Sequence, residues 1–245
     1  MNVVIFGATS AIAQAWARRR AAQGDHLILV GRNTAKLDMV KQDLTTRGAG
    51  SVHLHTVDLA VPQDYVNVVD QLYAWFPRID LVLFAQGSLP DQRALEQDVM
   101  AVRHVFELNA MSYLLPASLL GERMATVGSG TLVLISSVAG DRGRQSNYFY
   151  GTSKAAVSTF AAGLRNHLFK RGVQVLTVKP GFVDTPMTAH LPKAGPLWAT
   201  PDTVADCIEQ GLAKKRDVIY TPWFWRFILL IIQHVPEAIF KRLSL

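Results

Sequence analysis

The stretch "NVVIFGATSAIAQAWA" (residues 2–17) sets the problem. A short β-rich apolar run meets a glycine and two hydroxyl side chains, then an alanine-rich segment of helical character. A strand that turns on glycine into a helix gathers backbone N–H groups and the positive end of a helix dipole at one point, an arrangement suited to a diphosphate. Gly7 permits the tight turn, Thr9 and Ser10 can add hydroxyl donors, and Ile12 follows in the first helical turn. The later glycine positions of such turns hold Ala11 and Ala13, whose methyl groups narrow the approach of ligand to backbone. An ordinary βα turn has the same look, so the rest of the chain must decide.

The alternation continues to the C-terminus. Short β-rich runs recur at 2–6, 26–30, 51–57, 80–85, 130–136, 173–178 and 217–221. Several are apolar almost throughout, as strands covered on both faces must be. Helical patterns lie between them, one over about Val99 to Met124 and the clearest starting near Tyr150, with Ala156, Phe160, Ala161, Leu164 and Leu168 on one face. Repeated βα units predict an α/β domain, a parallel sheet with helices on both faces.

Composition agrees. The chain has 245 residues, 49% apolar and 18% charged, enough for one sizeable core and unlike a disordered chain. The net charge of +6 mildly favours anionic ligands or an anionic surface. Basic clusters at Arg18–Arg20 and Lys214–Arg216 read as solvated helix ends, so no nucleic acid partner is expected. The single cysteine, Cys207, cannot form an internal disulfide and fits a reducing, cytoplasmic compartment. The N-terminus lacks the basic region of a signal peptide, and the apolar run "FILLII" (227–232) falls far short of the ~20 residues a bilayer span needs.

The second strand sharpens the cofactor expectation. A dinucleotide fold that prefers NAD places Asp or Glu there for the ribose hydroxyls. This chain has Gly31-Arg32-Asn33 instead. A guanidinium can bind a 2′-phosphate bidentately, which favours NADP(H) and leaves NAD(H) open. Arg32 as a surface residue of a turn is the plain alternative. Asp58 and Leu59, after the third strand, are placed to flank an adenine, although Asp is also common turn chemistry.

In "SNYFYGTSKAAVSTF" (146–160), Tyr150 and Lys154 stand four residues apart on one helix face. Alone, such a pair is ordinary. In order along the chain, however, residues 7–13, Asp58, Asn109 in "ELNAMSYL", "ISS" (135–137), Tyr150 to Lys154 and "PGFVDT" (180–185) together resemble the short-chain dehydrogenase/reductase family. The resemblance implies a Rossmann-type, doubly wound, mostly seven-stranded parallel sheet and NAD(P)H-dependent reduction of a ketone or the reverse oxidation. It implies that Tyr150 exchanges the proton and that Lys154 favours the phenolate. Ser137 would fix the carbonyl oxygen, and Asn109 would tie a water chain to Lys154. Ala85 and Gly87 after the fourth strand, and Pro180, Gly181, Val183 and Thr185 after the sixth, would meet the cofactor along with Tyr150 and Lys154. No metal is implied, and a homodimer or homotetramer is.

Two departures stand out: the alanines of the first turn, and "FAQG" (84–87) where the family carries "NNAG", which removes side-chain amides that brace the sheet. The segment 136–155, "MTAHL" (187–191) and the tail are further similar to the decaprenylphosphoryl-2-keto-ribose reductase subgroup, implying a polyprenyl-phosphate-linked or other lipid-linked keto sugar as substrate. Arg142 and Arg144, between Ser137 and Tyr150, can meet a substrate phosphate or be plain loop arginines; Met187 opens a proline-rich substrate lid at about 182–200. Residues 1–222 form the catalytic domain and 223–245 an apolar helical extension of it. For 223–235 three readings stay open: burial in the core or a dimer, contact with the inner face of a membrane, or a hydrophobic wall for a long substrate. A catalytically silent nucleotide-binding or membrane-surface scaffold is the alternative function.

Overall fold

A computed structural model describes residues 1–192 and 195–243. Lys193 and Ala194 of the expected lid, and Ser244 and Leu245 of the expected tail, lie outside the described residues. The strands are β1 (Asn2–Phe6), β2 (His26–Gly31), β3 (Ser51–Thr56), β4 (Leu81–Phe84), β5 (Gly130–Ile135), β6 (Val173–Pro180), the two-residue β7 (Phe182–Val183) and β8 (Trp198–Ala199), and β9 (Val218–Thr221). The helices are α1 (Ala11–Ala21), α2 (Thr34–Thr46), α3 (Tyr65–Trp75), α4 (Gln92–Gln97), α5 (Val99–Phe106), α6 (Ser112–Val127), α7 (Tyr148–Phe169), α8 (Pro201–Ala213), α9 (Trp225–His234) and α10 (Glu237–Phe240).

Seven strands form one sheet in the order β3-β2-β1-β4-β5-β6-β9, and every pairing is parallel. Successive side chains of a strand point to opposite faces, so β1 feeds two cores. Val3 and Ile5 join Trp16, Leu37 and Ile208 under α1, α2 and α8. Val4 and Phe6 join Tyr113, Leu120 and Leu168 under α3, α6 and α7. Phe6 stacks on Phe84 of the neighbouring β4 at 4.7 Å between ring centres. This is the expected doubly wound fold. Its strand order reverses between β1 and β4, which opens a crevice at the carboxyl ends of those strands, where such sheets bind ligands.

The long helix expected from Val99 to Met124 forms with an interruption. A π-helical turn, Glu107–Met111, joins α5 to α6 and carries Asn109. Downstream, Pro116 lies inside α6 and has no N–H for the carbonyl four residues back, that of Ser112.

The C-terminal segment packs on the same body. Trp225 and Leu229 are buried with Val138. The loop after β5 holds α9 from its C-terminal end: Arg142 donates to the carbonyls of Ile232 (2.5 Å) and Val235 (2.7 Å), pairs with Glu237 at 3.0 Å and covers the Phe240 ring. The opposite face of α9 leaves Phe227, Leu230 and Ile231 exposed beside Trp223. No helix among the described residues is long and apolar enough to cross a membrane.

Trp225 sits directly on the turn after β6. A Cβ at Gly181 would lie 1.9 Å from the indole nitrogen. Phe182 stacks on Trp198 across the β7–β8 ladder and meets Trp225 edge-on. We therefore expect Gly181→Ala to displace the indole and cost about 1–3 kcal/mol, the usual penalty of overpacking, seen as a lower urea midpoint at unchanged slope. Combining it with Trp225→Ala should cost less than the sum of the two single losses, because the clash is shared.

Candidate active site

The crevice is a cavity of about 890 Å³. Its floor at β1 is the Gly7 turn. Gly7 has φ +70, and a Cβ there would stand 2.5 Å from the Gln86 nitrogen, so only glycine lets the first turn close against the end of β4. Ser10 caps α1, its Oγ accepting from the Ala13 N–H at 3.2 Å, which leaves the hydroxyl hydrogen available to a ligand. Thr9, Ser10, Ala11 and Ile12 line the cavity. Ala13 does not: it is fully buried against the sheet, so its methyl does not narrow the approach expected of it. A turn of this kind at a helix N-terminus is a cradle that fits a diphosphate.

At the far end, Arg32, Asp58 and Leu59 also line the cavity. The Arg32 guanidinium is exposed and stands 4.0 Å from Asp58. No carboxylate occupies the position at the end of β2 itself. Leu59 is largely buried in the core. Asn33 is outside the lining; its side chain caps α2 by accepting from Lys36 N–H at 2.9 Å.

The segment after β4 is clasped from α6 and the π-turn. Asn109, fully buried, accepts from Ser88 N–H and donates to Ser88 C=O, both at 2.8 Å. Its amide thus clasps the backbone of Ser88 at both polar groups. Gln86 supplies the brace whose loss "FAQG" suggested. Its Nε2 donates to the Ser112 carbonyl (2.9 Å), the one Pro116 leaves free, and to Ser112 Oγ (3.0 Å). Tyr113 donates its phenol to the Gln86 carbonyl at 2.5 Å. Ala85 and Gly87 face the cavity between these anchors. Sequence reasoning missed Gln86 and Tyr113. The signal was a proline inside a helix, seven residues after Asn109.

Tyr150, Ser137 and Lys154 meet at the cavity wall. Ser136, beside Ser137, docks β5 onto α7: its hydroxyl donates to the Lys154 carbonyl (2.8 Å) and meets Ser158 Oγ (2.7 Å). This fixes the first turns of α7 against the end of β5. Burial pushes the Tyr150 phenol up, and a hydrogen bond with the Ser137 hydroxyl draws it down. Lys154 is buried, and desolvation pushes its amine down to about 7. Its Nζ reaches the Ile135 carbonyl (3.3 Å) and the Tyr113 hydroxyl (3.4 Å), over the Tyr113 ring. Burial is the larger of the two effects, so the phenol stays above its ordinary value overall.

After β6, Pro180, Gly181, Val183 and Thr185, expected to meet the cofactor, line the cavity. Thr185 and Thr188 form a capping box on the turn Pro186–Thr188, and Met187 borders the opening. Trp225, Ile228 and Ile232 of α9 complete the wall. Arg144 lines the cavity, whereas Arg142 is turned to α9.

Comparisons agree with this picture. A family model described as short chain dehydrogenase matches residues 1–195. An uncharacterized oxidoreductase of Mycobacterium tuberculosis is 35% identical over 244 residues, covering 98% of this chain and 96% of the relative. Among solved structures, a bulky-bulky ketone specific alcohol dehydrogenase from Comamonas testosteroni superposes with TM-score 0.81 at 22% identity, over 97% of this chain and 96% of that one. A short-chain dehydrogenase from Sphingobium yanoikuyae in complex with NADPH gives TM-score 0.80 at 24% identity, over 97% and 98%.

The buried lysine makes a pH prediction. Its amine titrates near 7 when folded and near its ordinary 10.5 when unfolded. Between those values the unfolded chain holds more protons, so this group's destabilisation is full below 7 and fades as pH rises toward 10.5. We expect Lys154→Met to be more stable than the wild type at pH 7, with the gap closing by pH 10 in paired urea titrations.

Proposed function

The chain belongs to the short chain dehydrogenase family, and on that premise we propose that it is an oxidoreductase that reduces a ketone to a secondary alcohol with NADPH, or runs the reverse oxidation. The observation that carries this reading is that Ser137, Tyr150 and Lys154 line one cavity together with the Gly7 turn and Arg32. The wholly covered relative, an oxidoreductase by description, supports it. When bound, the nicotinamide supplies the hydride.

The chain's own residues handle the proton. Ser137 hydrogen-bonds the substrate oxygen and holds it at the phenol. Tyr150 donates its proton to that oxygen as charge develops on it, and in the reverse direction the phenolate takes the alcohol proton. Lys154, one helical turn on, titrates near neutrality and so can hold a proton for resupply. Asn109, Gln86 and Tyr113 fix the segment after β4, so the groups opposite the phenol stay in place. The Gly7 turn and the α1 N-terminus fit the diphosphate. Arg32, exposed where an NAD-preferring fold carries an acid, suits the 2′-phosphate of NADPH.

The finer substrate reading is a lipid-linked carbonyl compound. Its support is the apolar wall from α9 together with the exposed face of Phe227, Leu230 and Ile231 on the same helix. One face would line the path of an apolar substrate while the other rests on the bilayer surface from which it comes, with Arg226 beside it for anionic headgroups.

Two measurements test the core of the proposal. In a screen of ketones followed by nucleotide absorbance, Tyr150→Phe should lower kcat by about 100-fold or more while NADPH binding, read by fluorescence titration, changes little. Arg32→Asp should reduce the NADPH-over-NADH preference in kcat/KM by about tenfold to hundredfold, the range for losing a charged hydrogen bond.

A further inference from the structure

Arg142 and Arg144 are two residues apart and use their charge differently. Arg142 spends its donors on α9 and Glu237. Arg144 lines the cavity, and its Nε and Nη2 are buried without a hydrogen-bond partner among the described residues. The acid whose charge Arg144 feels, Asp141, is already engaged: one oxygen accepts from Lys179 Nζ at 2.5 Å and the other from the Tyr220 hydroxyl at 2.8 Å. Of the two aspartates in the lining, Asp58 lies by Arg32, and Asp91 caps α4 by accepting from Ala94 N–H. Burial accordingly pushes the Arg144 guanidinium below its ordinary value.

An unpaired buried guanidinium edge is costly, and this cost falls away when an anion meets it. Nε and Nη2 lie along one edge of the guanidinium plane, the edge that grips two oxygens of a carboxylate or phosphate at once. Asn147 stands beside it in the lining, with its Oδ1 also buried and unpaired among the described residues, ready to accept from a hydroxyl. We propose that the substrate is an anionic carbonyl compound, bearing a phosphate or carboxylate group, and that Arg144 receives this group through its Nε–Nη2 edge. The proposal rests on the ketone-reductase reading of the same cavity and adds the substrate's charge to it. It also separates the two arginines: Arg144 selects substrate, and Arg142 is a clamp on the C-terminal helix.

The test uses the full-length protein, NADPH and three small ketones of similar size: 4-oxopentanoate, its methyl ester and 3-oxobutylphosphonate. In each, the oxidised nicotinamide and the corresponding alcohol are the products, and the anionic group is untouched. We expect the wild type to favour at least one anion over the ester by about tenfold or more in kcat/KM. Arg144→Gln should cut that preference by about tenfold to hundredfold, chiefly through KM, and Arg144→Lys should restore part of it. A larger cut with the phosphonate identifies a phosphate site, and a larger cut with 4-oxopentanoate a carboxylate site. A second readout is independent of turnover. Phosphonate or carboxylate should raise the Tm of the NADP⁺-loaded wild type and not that of Arg144→Gln. Because Arg144 makes no internal hydrogen bond at these nitrogens, its Gln variant should melt close to the wild type, whereas Arg142→Gln should melt lower. An ester reduced as well as the anions, or an anion-dependent Tm shift that survives Arg144→Gln, overturns the proposal. If no ketone is reduced, the reductase reading fails, and the Tm comparison still decides the role of Arg144.

Discussion

The site depends on how four residues, Ala85 to Ser88, are held at the open end of β4. β4 ends there: Ala85 N–H still donates to the Phe6 carbonyl of β1 (2.9 Å), but past it the ladder stops and the backbone groups need other partners. Three side chains hold the segment instead. Asn109 takes both backbone groups of Ser88, Tyr113 takes the Gln86 carbonyl, and Gln86 reaches into α6. The last contact exists because of a defect. Pro116 withholds a donor from the Ser112 carbonyl, and the glutamine amide supplies one. With this segment fixed, the Gly7 turn can close to within backbone contact of it, and the two sides of the cradle keep a constant separation.

The same economy governs the charges. Lys154 lies deep in the structure with a carbonyl and a phenol for company and no carboxylate partner among the described residues, so the fold keeps it near the point of losing its proton. Tyr150 is held to Ser137 by the docking of α7 on β5, for which Ser136 provides the hydrogen bonds. The place of Tyr150 thus depends on hydrogen bonds that Ser136 makes farther along α7. The C-terminal helix is held by Arg142 and by the seat of Trp225 on Gly181, the first a contact across 90 residues of sequence.

Much of this was legible in the sequence. Apolar runs wholly covered on both faces mark parallel strands, and all seven predicted strands pair in one sheet. The ordered motifs brought Ser137, Tyr150 and Lys154 to one wall. What escaped was of another kind. Periodicity tells which face of a helix is apolar and says nothing of what that face touches, so the C-terminal segment allowed three readings; α9 packs one face against the cavity and leaves the other exposed. Arg142 and Arg144 look alike in sequence, and only the position of a helix end some ninety residues later tells them apart. Ala13 occupies a position where a methyl was expected to crowd a ligand, yet helix rotation turns it into the core. The grip of Gln86 depends on a helical proline, and the seat of Asn109, a residue the motifs did name, on a π-turn; neither irregularity has a period to reveal it.

The late position of α9 bears on how the molecule matures. Ribosomal synthesis delivers β1 through β6 and the helices between them well before Trp225, Ile228 and Ile232 leave the exit tunnel. A nascent chain at that stage already carries the Gly7 turn and the α1 N-terminus but lacks one wall of the cavity. The apolar side chains of Trp225, Ile228 and Ile232 are accordingly the last of the lining to take their places.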